Sequence, residues 1–273
     1  MAATRAMRAR EAWQRLYSKR GLHYGGTGDL SLLKPHLKRG MLVLDAGCGD
    51  GKTAEALARL CEVVACDFSR EALNSLRSQR DPDGVVELVE CNLRNMPFAP
   101  EKYGAVTCVH TLSHMVERER AAAAEQLSKA LVRGGHLYVE AFGRADMRCG
   151  KGDEVEPSSY LRGDGIMTHY FQEGEVGSLF PGLEVVTEVG SVRRVVFGAT
   201  AGKREVLKVL HRHGAAWGSL RVGENGQLYV NEMGKLEPAD IPKAHVERVK
   251  QLVEDVVADL DHPEAAQQRD DDE

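Results

Sequence analysis

From Met41 to about Gly198, short apolar runs alternate with stretches whose apolar residues recur every three or four positions. The first pattern predicts strands and the second predicts helices lying against them. Strands are expected over Leu42–Asp45, Val63–Asp67, Val85–Glu90, Ala105–His110 and His136–Ala141, as short runs of the kind a sheet covers on both faces. Helices are expected over Lys52–Leu60, Arg70–Gln79 and Arg118–Leu131, the last stopped by the basic turn Arg133-Gly134-Gly135. Strands and helices in alternation predict a parallel sheet with crossover helices.

Beyond Gly143 the pattern changes. Arg144–Asp164 is polar, glycine-rich and longer than an ordinary connection, which marks a lid or binding loop. A helix is expected over Phe171–Leu179, then an antiparallel pair, Leu183–Val189 with Val192–Phe197, turning at Gly190-Ser191. Lys203–His213 has helical spacing, Ser219–Val230 suits a hairpin about Gly223-Glu224-Asn225-Gly226, and Pro242–Leu260 is again helical. At the other end, Glu11, Trp13 and Leu16 make the start an amphipathic helix rather than a targeting peptide. The expected divisions are an N-terminal helical lid (1–40), a principal domain (41–200), a C-terminal extension (201–260) and a disordered acidic tail (261–273).

Composition mostly excludes. At 42% hydrophobic and 28% charged the chain can bury a core, and no run has the length of a membrane span. A net charge of −5 supplies no general pull toward nucleic acid. The six cysteines form no CxxC pair and no zinc-like spacing with histidine. No metal is expected, and such thiol usage reads as reduced and cytoplasmic.

Chemistry concentrates in the turn after the first strand, Asp45-Ala46-Gly47-Cys48-Gly49-Asp50-Gly51. Glycines there let the backbone turn tightly and approach a ligand with no Cβ in the way. A second acid, Asp67, ends the next strand, where a carboxylate reaches the ribose hydroxyls of a nucleoside. A dinucleotide site would space its glycines as GxGxxG against a pyrophosphate. Here the spacing is Gly47-x-Gly49-x-Gly51, and the anions Asp45 and Asp50 favour a cationic ligand over a diphosphate.

Residues 41–143 resemble the class I S-adenosylmethionine-dependent methyltransferases in motif order as well as composition. The resemblance implies a Rossmann-like, doubly wound seven-stranded α/β sheet with an antiparallel last strand, here with a C-terminal extension. It implies S-adenosylmethionine in a cradle formed by Asp45, Ala46, Gly47, Cys48, Gly49 and Gly51, with Asp67 on its ribose and Phe68 against its adenine. The segment Cys91-Asn92-Leu93, running on to Met96-Pro97-Phe98, resembles the family stretch beside the adenine. Asn92 replaces the usual aspartate there, and its amide oxygen is the expected acceptor from the adenine amino group.

After the fourth strand come His110 and His114, the two candidates for a chemical role; His110, which follows the strand directly, is the better candidate for facing the methyl group. Methyl transfer relies mainly on alignment, so the acceptor is specified by the surrounding loops. No Asn/Asp-Pro-Pro-aromatic motif follows the fourth strand, and Cys108 lies within it, which disfavours two nucleobase-modifying classes. The insert from Gly150 to Phe171 resembles that of tellurite-resistance-type and other small-molecule methyltransferases, in which it covers the active site. By position Tyr24, Glu140, His169 and Tyr170 would line the acceptor pocket, with Trp13–Tyr24 as the second half of the lid.

The expected acceptor is therefore a small molecule. The alternatives are tRNA, bound on a basic face of Arg193, Arg194, Lys203, Arg204, Lys208 and Arg212, and a partner subunit that binds cofactor without catalysis.

Overall fold

The computed structural model describes residues 2–19, 29–81, 83–197, 200–213, 220–222, 228–232 and 235–238. They fall into two compact units, Met1–Gly214 and Ala215–Glu273. Among the described residues no helix is long and apolar enough to cross a membrane.

The first unit opens with α1 (Ala2–Lys19) and then alternates as the pattern predicts: β1 (Leu42–Ala46), α2 (Lys52–Ala58), β2 (Glu62–Asp67), α3 (Arg70–Gln79) and β3 (Glu87–Glu90). Then follow β4 (Tyr103–Val109), α4 (Glu117–Ala130) and β5 (Leu131–Phe142). Along β1, Leu44 and Ala46 enter one core cluster and Val43 the other, so the sheet is buried on both faces. Against the first face, α4 packs Ala123, Ala124 and Leu127; against the second, α2 and α3 pack Ala54, Leu57, Leu73 and Leu76. Ser69 starts α3 by accepting the Ala72 amide on its hydroxyl at 3.3 Å.

The Arg144–Asp164 stretch is more ordered than a loop. It contributes to a small antiparallel sheet of β6 (Asp153–Glu156), β7 (Ser159–Leu161) and β8 (Met167–His169). The helix expected over Phe171–Leu179 shrinks to one turn, α5 (Glu175–Ser178). Gly174 in left-handed backbone (φ 78°) precedes it, and Phe171 is held in a bridge to Gly143.

Two further expectations fail together. The pair over Leu183–Phe197 is a single strand, β9 (Leu183–Phe197), because Gly190 and Ser191 stay extended and pair with Leu207 and Val206. The helix over Lys203–His213 is β10 (Thr200–His213), lying between β5 and β9 and antiparallel to both. Its residues Val206, Leu207, Val209 and Leu210 are all buried, since both faces of the sheet are covered. That erases the period-two alternation, and the remaining spacing of apolar pairs imitates a helix.

The main sheet thus has seven strands, ordered β3-β2-β1-β4-β5-β10-β9, with β10 as its antiparallel member. This strand, the last of the seven along the chain, belongs to the sheet, so the boundary expected after residue 200 gives way to one at Gly214. The second unit contains β11 (Leu220–Val222), β12 (Leu228–Glu232) and β13 (Lys235–Pro238), an antiparallel set that includes the expected hairpin. Pro242–Leu260, the acidic tail and Tyr24 lie outside the described residues.

Candidate active site

A cleft of about 1050 Å³ runs across the carboxyl ends of β1, β2, β4 and β5, where open α/β sheets bind ligands. The turn after β1 forms its floor. Gly47 and Cys48 donate their amides to the Cys66 carbonyl at 2.8 and 3.0 Å, and Gly51 closes the turn on the Cys48 carbonyl at 3.0 Å. Gly47 sits at φ 72°, and a Cβ there would collide with the Thr111 side chain. Gly49, at φ 55°, has the Tyr17 hydroxyl 2.5 Å from where its Cβ would stand. Only glycine fits both conformations and both spaces.

Two buried acids flank the turn. Asp67 accepts from the amides of Ser69 at 2.8 Å and Gly49 at 3.0 Å, which fixes its carboxylate at the mouth of β2. Burial pushes its carboxyl up to about 6, against those amides. Asp45 accepts from the Thr107 hydroxyl at 2.8 Å on Oδ1, while Oδ2 is buried with no hydrogen-bond partner. Burial pushes Asp45 up to about 7. An orphaned buried carboxylate oxygen and a Cβ-free turn suit a cationic amino-acid group, and Asp67 suits ribose hydroxyls.

Cys48, Phe68, Cys91 and Leu93 also line the cleft, whereas Ala46 and Gly51 do not. Asn92 lines it differently from expectation. Its Oδ1 already accepts from the Arg94 amide and the Arg94 guanidinium, both at 3.1 Å, so it offers an adenine its NH₂ instead.

Both histidines face the cleft. His110, at φ 59°, stacks on Phe142 with centroids 4.2 Å apart, and its Nε2 lies 3.6 Å from Glu140 Oε2. Burial, then the nearby His114, Arg204, Arg148 and Lys52, holds its proton affinity well below the usual imidazole value. His114 donates Nδ1–H to the Met167 carbonyl at 2.8 Å, which fixes the tautomer and leaves the Nε2 lone pair for a ligand. Burial lowers it to about 4. Glu140 also lines the cleft, held by the Tyr138 hydroxyl at 2.6 Å.

His169 and Tyr170 do not line the cleft. The His169 ring is buried between the Ser159 hydroxyl and the Glu175 carboxylate, 2.7 Å from each, and Tyr170 is wholly buried. They anchor the small sheet rather than contact an acceptor. Instead the sheet sends Arg162 and Ile166 into the cleft, while α1 sends Arg10, Trp13 and Tyr17. Trp13 meets His114 edge-on at 4.8 Å, and Arg10 pairs with Glu90. Sequence reasoning passed over Thr111 and Arg148. It placed Arg204 and Lys208 on a basic face for tRNA, although both line the cleft. Recognising β10 as a strand was the signal that would have found those two.

Fold and site together define a class I S-adenosylmethionine-dependent methyltransferase domain, and the comparisons agree. Residues 43–135 match the methyltransferase domain family. The chain is 31% identical over 159 residues to the tRNA N(3)-cytidine methyltransferase METTL2 of Mus musculus, covering 53% of this chain and 41% of that protein. It is 26% identical over 166 residues to O-methyltransferase 3 of Dictyostelium discoideum, covering 56% of this chain and 38% of that protein. The fold matches the crystal structure of a SAM-dependent methyltransferase from Methanosarcina mazei with a TM-score of 0.57 at 20% identity, over 67% of this chain and 97% of that one. The family match is confined to residues 43–135, and the chain spans about two-fifths of the length of the curated relatives it matches.

Proposed function

We propose that this protein transfers a methyl group from S-adenosylmethionine to a small molecule held beneath α1 and the β6–β8 sheet. The observation that carries this reading is the joint wall of the cleft. Trp13 from α1, Arg162 and Ile166 from the small sheet, and His110, His114 and Phe142 from the main sheet all line the volume that the glycine turn opens into. At about 1050 Å³ the cleft lies at the upper end of ligand sites, with room for a second molecule beside the cofactor. The cofactor supplies an activated methyl carbon, and the protein supplies alignment and exclusion of water.

Neutral histidines suit that task. A charged imidazole would repel a sulfonium, whereas His114 Nε2 accepts a hydrogen bond from the N–H or O–H of the attacking group. Asp45 and Asp67 hold the cofactor's ammonium and ribose, and Thr111 backs the turn. A cofactor-binding subunit without catalysis has no use for such room beside the cofactor.

A tRNA nucleoside acceptor is the second reading, favoured by relatives named as tRNA N(3)-cytidine methyltransferases. Against it, three of the six basic positions proposed to face RNA stand against acids: Lys208 with Asp29, Arg212 with Glu184 and Arg204 beside Asp146. The deciding experiment supplies tritiated S-adenosylmethionine with, separately, low-molecular-weight metabolites and total tRNA. Label in the metabolites supports the proposal; label confined to tRNA overturns it.

A further inference from the structure

We propose that Lys52 binds the carboxylate at the amino-acid end of S-adenosylmethionine, so that the site reads that end as a zwitterion. The inference rests on the methyl donor and not on the acceptor, and holds for a small molecule or a tRNA. The donor carries a sulfonium, an ammonium and a carboxylate. Asp45 and Asp67 are acids, suited to the ammonium and the ribose, and neither can hold an anion. A carboxylate drawn out of water into the same cleft needs a cation of its own.

Among the described residues, the other cations that line the cleft all stand against acids. Arg10 pairs with Glu90, Arg94 with Glu119, Arg162 with Asp164 and Lys208 with Asp29. Arg148 takes Asp146 in a two-point bond, Nε to Oδ1 at 2.8 Å and Nη2 to Oδ2 at 3.0 Å. Arg204 Nε stands 3.8 Å from the same carboxylate. Lys52 differs: among the described residues its side chain has no ion pair and no hydrogen bond. Glu140 does not take it up. One oxygen of that carboxylate accepts the Tyr138 hydroxyl at 2.6 Å, and the other lies 3.6 Å from His110 Nε2.

The position of Lys52 is as specific as its charge. It is the first residue of α2, directly after Gly51 and the glycine turn, and its half-buried side chain lines the cleft. Gly51, at φ 85° with the Leu76 side chain where a Cβ would stand, fixes where that helix begins. The Lys52 charge lowers the proton affinity of both His110 and Glu140, which sets the ammonium toward the methyl-transfer end of the cleft. A lysine suits the task, being a point charge on a flexible stem with three N–H donors. The turn and its flanks then divide the donor among them: Asp45 takes the ammonium, Lys52 the carboxylate and Asp67 the ribose. A ligand without the carboxylate loses one match and brings its remaining positive charge up against Lys52.

The test measures affinity by calorimetry, with the full chain and three probes. These are S-adenosylmethionine, its decarboxylated form, and S-adenosylhomocysteine, which keeps the carboxylate and lacks the sulfonium charge. The wild type is expected to bind the decarboxylated form at least about tenfold more weakly than S-adenosylmethionine, the loss of one charge-assisted partner. Lys52→Gln is expected to weaken S-adenosylmethionine and S-adenosylhomocysteine alike, by about tenfold, and to leave the decarboxylated form no weaker than before. Lys52→Arg keeps the charge and is expected to restore most of the loss. Melting curves without ligand show that each variant is folded. Equal weakening of all three probes would assign Lys52 to the fold or to Glu140 and overturn the inference. Unchanged or tighter S-adenosylmethionine binding by Lys52→Gln overturns it too, as does a wild type indifferent to the carboxylate. No binding of any probe by the wild type would overturn the cofactor assignment along with it.

Discussion

The cofactor half of the cleft draws on one stretch of chain, Asp45 to Leu93, and its buried charges are acids at strand ends. The other half gathers His110 and His114, Glu140, Phe142 and Arg148, Arg162, and Arg204 with Lys208, and its charges stand largely in pairs of opposite sign. The difference follows from what each half must recognise. A sulfonium nucleoside is the same in every member of the family, so a local turn with acids at fixed offsets suffices. An acceptor is particular to one enzyme, and its site is assembled from segments that meet only through the fold. Substitutions in the first half should thus act on cofactor affinity, and those in the second on transfer.

The largest effect is expected at Gly47. Gly47→Val places a branched side chain against Thr111 at a left-handed backbone position, which costs roughly 1–3 kcal/mol in strain before the clash is counted. Cofactor affinity measured by calorimetry should fall by at least about 100-fold. Unchanged affinity would break the assignment of the turn. Asp67→Asn is next. It keeps the shape but removes the charge from two ribose hydrogen bonds, so affinity should drop about 10- to 100-fold. Transfer at saturating cofactor should remain, because no reacting atom touches that carboxylate.

A smaller effect, about tenfold, is expected from pH and has two opposite signs. Asp45 and Asp67 hold protons up to about 7 and 6, above their ordinary carboxyl value of 3.8. Through the window from about pH 4 to 7 the folded, cofactor-free protein therefore binds more protons than the unfolded chain. The contribution of these two groups to its stability declines as pH rises there. The cationic cofactor prefers both acids ionised, so its affinity should rise over the same window. Melting curves and titrations at pH 5 and 7.5 measure both slopes, and Asp67→Asn should flatten each. Parallel slopes would mean that the acids do not face the cofactor.

The unequal construction also explains what could be read in the chain. The α3 range Arg70–Gln79 and the strands ending at Asp45 and Asp67 follow from short-range patterns, because each is a local compromise between a buried face and a turn. Asp45, Gly47, Gly49 and Asp67 could be named for the same reason. By contrast, β10 is hidden since burial on both faces leaves no alternation, and with it went Arg204 and Lys208 as cleft residues. Arg148 gives no local signal at all; its position depends on Asp146, Phe142 and the return of β10 beside β5. Asn92 shows the limit within the legible half. Its position was readable, but its oxygen is spent on Arg94, a bond that only the folded turn reveals.

The smallest effect on ligand binding is expected where sequence position was most misleading, at His169. Adjacency to the insert made it an acceptor candidate, but its ring joins Ser159 on β7 to Glu175 at α5, well bonded on both nitrogens. Removing it in His169→Ala leaves a buried hydroxyl and a half-buried carboxylate without that partner, a cost of about 2–3 kcal/mol. In a unit of this size that corresponds to a melting temperature lower by about 5–10 °C. Cofactor affinity should stay within about twofold, and at a temperature where the variant is folded its KM for the acceptor should too. A raised KM with an unshifted melting curve would place His169 in contact with the acceptor and erase the distinction between the wall of the cleft and its anchor. A lowered melting curve with unaltered kinetics would sharpen it, since Arg162 and Ile166 would then reach the acceptor from a sheet whose own fastening takes no part in recognition.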